Sequence, residues 1–176
     1  IRLRLEPLAA EHAAHNATDR QLVALRKISQ EISAARDRGD QKFDMQKMYE
    51  FYITLYSFSG FSYLQRIIEN IWTKTGPYLN LLFPDYIHSR RGDSARDRIL
   101  SAMENRDPQA AGIAVHDDIE SAMFYLMTHV DEEGLIHPRR TKLKSFTGKQ
   151  PNQRDSLIGS IIAFRDKTKP ETDDES

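Results

Sequence analysis

Cysteine is missing from all 176 residues, so neither a disulfide nor a thiolate metal site can form, which fits a reducing compartment. Long apolar runs are missing as well, which leaves no segment to span a membrane or to form the core of a signal peptide. No charge of one sign prevails: 25 Lys and Arg stand against 26 Asp and Glu, for a formal net charge of −1. A chain so balanced is not, as a whole, a polyanion binder. No stretch alternates with period two for long enough to argue a strand. The parts of a turnover site are also lacking. There is no paired nucleophile and base, no phosphate-cradling loop and no clustered pair of acids, so an enzyme is not expected. What is present, 39% hydrophobic and 29% charged residues, suits one ordinary core, hence one domain plus an extension. The first residue is Ile rather than Met, and the chain is expected to be a fragment of a longer protein.

Helical periodicity fills most of the chain. Leu5, Leu8, Ala9, Ala10, Ala13 and Ala14 give Arg2 to Ala14 a helical pattern that Pro7 either bends or starts. Thr18-Asp19-Arg20-Gln21 is a capping box, and Leu25, Ile28, Ile32 and Ala35 carry the next helix to a stop at Gly39. Asp40 can cap a third helix with Met48, Phe51, Tyr52 and Leu55 inward, ended by Ser59-Gly60. A second capping box, Ser62 to Gln65, opens a helix with Leu64, Ile67, Ile68, Ile71 and Trp72 inside, and Gly76-Pro77 is expected to halt it. A connector with Pro84, His88 and Arg90-Arg91-Gly92 leads to Ser94.

Arg96 to Leu126 is the stretch around which the rest is expected to be arranged. It reads as two helices joined by a turn at Arg106-Asp107-Pro108, with Asp107 as cap and Pro108 at a first helical position. Ile99, Leu100 and Met103 form the inward stripe of the first helix, and Arg96 lies on it. Ala111, Ala114, Val115, Ile119, Ala122 and Leu126 form the stripe of the second, and Asp118 falls in its middle. A charge on an apolar face is normally paired or kept for a ligand, because burying it alone is costly. The expected fold is therefore all-α, an antiparallel bundle of six or seven helices over residues 1–130 enclosing a polar centre. Residues 131–176 are expected to be a basic linker with a short helix over Leu157 to Phe164 and an acidic, disordered tail. The basic run from His137 to Arg154 lacks aromatic interleaving and is read as a solvated linker rather than a nucleic-acid site.

One family shares this pattern. Leu5-Glu6-Pro7, the pairs Ala9-Ala10 and Ala13-Ala14, Ala17-Thr18, Leu22, Leu25, Gly39-Asp40, Phe51, Leu55, Ser59-Gly60, Leu64, Ile99, Ala102, Asp107 and Ala110-Ala111 resemble, in order and spacing, the FadR C-terminal domain family over Arg2 to Val130. That resemblance implies the all-helical effector-binding domain of GntR-type bacterial transcription regulators, in the cytoplasm, with a winged helix-turn-helix domain ahead of it that is absent here. It also implies a divalent metal held by one Asp and three His. At those four positions this chain has Met48, Tyr52, Arg96 and Asp118. None is the expected ligand type at its place, and no metal or other cofactor is expected, since Asp118 alone is too few ligands. His116 should face solvent, and His12, His15, His88, His129 and His137 offer no i, i+4 pair.

Three readings of the centre follow. In the first, Arg96, helped by Arg2, binds an anionic small metabolite such as an organic acid through its guanidinium fork; Tyr52 adds a hydroxyl, and Met48 and Trp72 an apolar wall. In the second, Arg96 and Asp118 pair inside a filled core, and the domain serves structure and dimerisation. In the third, an acyl chain or acyl-coenzyme A occupies the space between the helices. A homodimer is expected in each, because such regulators read two half-sites, and the aromatic and basic residues of Tyr78 to Arg91 offer contact material.

Overall fold

Caps set where the helices begin, and apolar spacing decides which faces they bury. The structure, a computed structural model, describes residues 1–82, 91–128 and 130. Among them six α-helices follow in order: α1 (Arg2–Asn16), α2 (Asp19–Asp37), α3 (Gln41–Ser57), α4 (Ser62–Leu79), α5 (Arg91–Glu104) and α6 (Pro108–Met127), with a 3-10 turn at Asn80–Leu82 after α4. This is the expected antiparallel all-α bundle. The expected linker, short helix and acidic tail of 131–176, and the connector from Pro84 to Arg90, lie outside the described residues.

The local signals act as their chemistry predicts. At Thr18 the box is reciprocal: Oγ1 accepts from the Gln21 N–H while the Gln21 side chain accepts from the Thr18 N–H at 2.7 Å. Asp40 accepts from the Phe43 N–H at 3.1 Å and Asp107 from the Ala110 N–H at 2.9 Å, each satisfying an amide with no partner inside its helix. Gly39 (φ 67°) and Gly60 (φ 80°) close α2 and α3 in the left-handed region, where a Cβ would be strained. Arg106 sits there too, at φ 53°. Its guanidinium donates to the Ala17 carbonyl and to Asp19, tying the α5–α6 turn to the α1–α2 turn.

Four boundary expectations are corrected. Ser62 is the first residue of α4 rather than its cap, since the Gln65 N–H already bonds the Phe61 carbonyl at 3.0 Å. Gly76-Pro77 does not stop α4, which continues to Leu79; a proline so near the end deprives the helix of one bond only. Of the two roles expected of Pro7, starting the helix is excluded, since it lies inside α1. α5 begins at Arg91 rather than at Ser94. Two apolar residues also face outward, Leu8 at 41% and Ile67 at 50% exposure. The stripe of α4 is wider than the face its neighbours cover, so Ile68 and Trp72 are buried and Ile67 is not.

The packing centre is α1 rather than the α5–α6 pair. It lies against α3, α4, α5 and α6. Ala9, Ala10, Ala13 and Ala14 are wholly buried, as are Ala111 and Val115 of α6. Small side chains on both helices let the backbones approach closely, and Gly112 of α6 lies directly under the side chain of Glu11. Ala122 and Leu126 leave this core for a smaller cluster with Leu82, Met45 and Tyr125. Among the described residues no helix is long and apolar enough to cross a membrane.

Candidate functional site

Helix α1 places Arg2 and Glu6 one turn apart, and they meet in a two-pronged ion pair, Nε to Oε1 at 2.5 Å and Nη2 to Oε2 at 3.2 Å. Glu6 is 1% exposed, so its charge is taken out of water and must be met by protein. Tyr56 of α3 supplies the third bond, its hydroxyl donating to Oε2 at 2.7 Å. Burial, and then the charge of Glu6, drives the Tyr56 pKa well above the usual phenol value. Burial weakens the Arg2 guanidinium as a base, but the bond and charge of Glu6 outweigh it and its pKa is raised.

Helix α3 carries Met48, Tyr52 and Tyr56 at four-residue spacing, which puts them on one face. The Tyr52 hydroxyl donates a short hydrogen bond to Asp118 Oδ2 on α6. Its ring lies 5.4 Å from that of Trp72 and 6.0 Å from that of Tyr56, centroid to centroid. The Arg2 guanidinium carbon sits 4.9 Å above the Trp72 ring, close enough for cation–π attraction. Trp72 is buried, and its indole N–H finds no acceptor among the described residues.

Arg96 of α5 is 1% exposed. Its Nε reaches Ser29 Oγ and its Nη2 reaches Ser33 Oγ, both at 3.4 Å, while Nη1 lies 3.7 Å from the Met48 sulfur. The same sulfur accepts from Arg36 Nη2 at 3.5 Å, and Arg36 also pairs with the fully buried Asp44 at 3.0 Å. Asp118 is half-buried by accessible area. Desolvation of its carboxyl is the largest influence on it and raises its pKa, against the Tyr52 bond and the charges of Arg96, Arg2 and Arg98. Burial and the Asp118 carboxylate push the Tyr52 pKa well up in turn.

Arg2, Met48, Tyr52, Trp72, Arg96 and Asp118 are thus brought into one linked set contributed by α1, α3, α4, α5 and α6. Arg2 stands differently from its expected role, because it is engaged with Glu6. His116 is half-exposed on α6, His15 is exposed, and His12 packs edge-on against Phe61 at 4.6 Å; His88, His129 and His137 lie outside the described residues. Glu6, Tyr56, Ser29, Ser33, Arg36 and Asp44 escaped the sequence reading. For Glu6 and Tyr56 a signal existed, since Glu6 is one turn from Arg2 on the alanine stripe and Tyr56 one turn from Tyr52.

The metal implied by the resemblance does not fit these residues. A guanidinium has no lone pair to offer and stays charged, and Arg96 stands where a ligand would be needed. Asp118 is turned to a phenol, and the thioether of Met48 accepts from two arginines.

Comparison with known proteins places this geometry. The FCD domain family model matches residues 1–121. The Exu regulon transcriptional regulator of Escherichia coli (strain K12) is 28% identical over 134 residues, 73% of this chain and 50% of that protein. The HTH-type transcriptional regulator McbR of the same organism is 29% identical over 83 residues, 47% of this chain and 38% of that one. The chain spans about half the length of the first of these relatives. Among solved structures, E. coli McbR/YncC superposes with a TM-score of 0.68 at 21% identity, covering 74% of this chain and 62% of that one. Streptococcus agalactiae GntR follows with a TM-score of 0.58 at 29% identity, covering 70% of this chain and 55% of that one. The named relatives are regulators of transcription rather than enzymes.

Proposed function

The chain belongs to the FCD domain family, the effector domain of GntR-type transcription regulators, and from that premise we propose that it senses a small anionic metabolite, an organic acid, at a metal-free centre built on Arg96. The observation that carries the reading is the buried indole N–H of Trp72, which lacks an acceptor among the described residues and borders Tyr52 and Arg2. Leaving a buried donor unsatisfied costs about 1–3 kcal/mol, and a ligand oxygen recovers that cost on binding. Arg96 supplies the charge, Trp72 a directed donor and Met48 an adaptable wall. In the whole protein, DNA is bound by a winged helix-turn-helix domain ahead of this one, and the helical domain forms a homodimer, in the cytoplasm. The present chain by itself is not expected to select a DNA sequence.

The test is a thermal-shift screen of organic acids followed by calorimetric titration of the best one into wild type, Arg96→Lys and Trp72→Phe. Stabilisation should rise with ligand concentration as mass action requires, and both variants should weaken it at least tenfold. Stabilisation unchanged in both variants would place binding elsewhere. A second reading rests on the closed bonding of Arg2, Glu6 and Tyr56 and of Tyr52 and Asp118: a filled, purely structural core, for which no acid in the screen would shift the melt.

A further inference from the structure

Helix α6 turns Asp118 inward and a different set of side chains outward. His116, Asp117 and Glu120 can each offer one ligand atom, and those atoms all lie within 4.8 Å of one another. His116 and Glu120 are one turn apart on the same face. Asp117 is adjacent, its Oδ1 3.8 Å from His116 Nδ1. Its other oxygen, Oδ2, is held from outside the cluster by Arg98 Nη1 of α5 at 3.0 Å. That bond fixes the carboxylate so that one oxygen faces the imidazole and the other faces away, as outer partners commonly orient a metal's carboxylate ligands.

We propose that His116, Asp117 and Glu120 form an outer site for a divalent transition metal, distinct from the effector centre on the inner side of the same helix. One imidazole and two carboxylates suit Zn²⁺, Co²⁺ or Mn²⁺ better than Ca²⁺ or Mg²⁺, which take all-oxygen shells. Donors bound at about 2.0–2.2 Å from a zinc ion stand roughly 3–3.5 Å apart, so ligand atoms as much as 4.8 Å apart must draw in by about 1.3–1.8 Å. They have the freedom to do so, since the side chains of His116 and Asp117 are 43% and 41% exposed. The same exposure lets water complete the coordination. Two carboxylates balance the charge of the ion, and Arg98 stays on the far oxygen of Asp117. Asp118 takes no part, because its carboxyl is bonded to Tyr52 on the opposite side of α6.

The experiment uses the 176-residue chain, stripped with chelator, and two probes: Zn²⁺ by calorimetric titration and Co²⁺ by its visible absorption. One equivalent of each should bind, with an imidazole-containing, carboxylate-rich Co²⁺ spectrum. His116→Ala and Glu120→Gln should each lower the affinity at least tenfold without moving the melting temperature of the metal-free protein, since both residues lie on the surface. Asp118→Asn should leave the affinity unchanged. Absence of saturable binding, or binding lost in Asp118→Asn and kept in His116→Ala, would overturn the proposal; the second result would also place a metal in the inner centre.

Discussion

Removing Arg2 tests the buried charge at the N-terminus of the bundle, because the two members of its ion pair are unequally exposed: Arg2 is 21% exposed and Glu6 1%. Arg2→Ala strips both guanidinium bonds from a carboxylate that water does not reach and leaves it one donor, Tyr56. Stranding one partner of a buried pair costs about 3–5 kcal/mol; the partial exposure of Arg2 sets the value here near the lower end, about 3 kcal/mol. For a helical unit of this size that is a melting shift of about 10–15 °C. Glu6→Gln strands the other partner, which is wetter, and its amide oxygen still accepts from Tyr56, so the loss should be under half as large. The double variant should recover most of what Arg2→Ala loses, because the charge is then gone from both sides. Thermal and urea melts suffice. If Arg2→Ala melts within a degree of wild type, or if Glu6→Gln is the worse variant, Glu6 is not buried as described and the reasoning fails.

The inner carboxyl gives a pH test. Burial raises the pKa of Asp118, so the folded chain holds that proton to higher pH than the unfolded one, and the contribution of Asp118 to stability falls as pH rises from the ordinary Asp range, about 3.9, through its folded value. Asp118→Asn keeps an acceptor for Tyr52 and should flatten that slope in urea titrations between pH 4 and pH 7; an unchanged slope would refute the assignment. Trp72→Phe removes a donor with no acceptor among the described residues but also part of a ring packed on Tyr52 and Arg2, so the two effects oppose and the melt should stay within a few degrees of wild type; a larger loss would mean that the indole N–H is satisfied. Thr18→Ala removes one half of a reciprocal cap and should cost about 1 kcal/mol by chemical denaturation.

How much of this was legible depends on whether a residue's surroundings are local. Thr18, Asp40, Gly39 and Asp107 act on their own turns, so their roles are readable from spacing alone. Arg96 and Asp118 are readable because a charge on an apolar stripe contradicts its surroundings. Glu6 gives a weaker signal, its place one turn from Arg2 on the alanine stripe, because a glutamate in the first turns of a helix is ordinarily solvated and favourable there; Tyr56 arrives from another helix to bond it. The Arg36–Asp44 pair spans the α2–α3 turn, where Gly39 reverses the chain, and helical periodicity within one element cannot reveal it. Leu8 and Ile67 were misplaced for a related reason: spacing gives the direction of an apolar face, but its buried width depends on how many neighbours arrive.

The four residues at the metal positions of the resembled family form one consistent substitution. Once an arginine occupies one position, that ligand is lost outright, since a guanidinium has no lone pair to offer, and the remaining positions are too few to hold the ion. A donor such as the Tyr52 hydroxyl is then the better neighbour for Asp118, satisfying the carboxyl whether or not it carries a proton. Met48 completes the set. Its sulfur accepts weakly from the guanidinium groups of both Arg36 and Arg96 without adding a charge. Arg2 is matched by Glu6, and Arg96, held by Ser29, Ser33 and Met48, brings a guanidinium that stays charged at any working pH. On the reading proposed above, that guanidinium is the group an acid effector would bind.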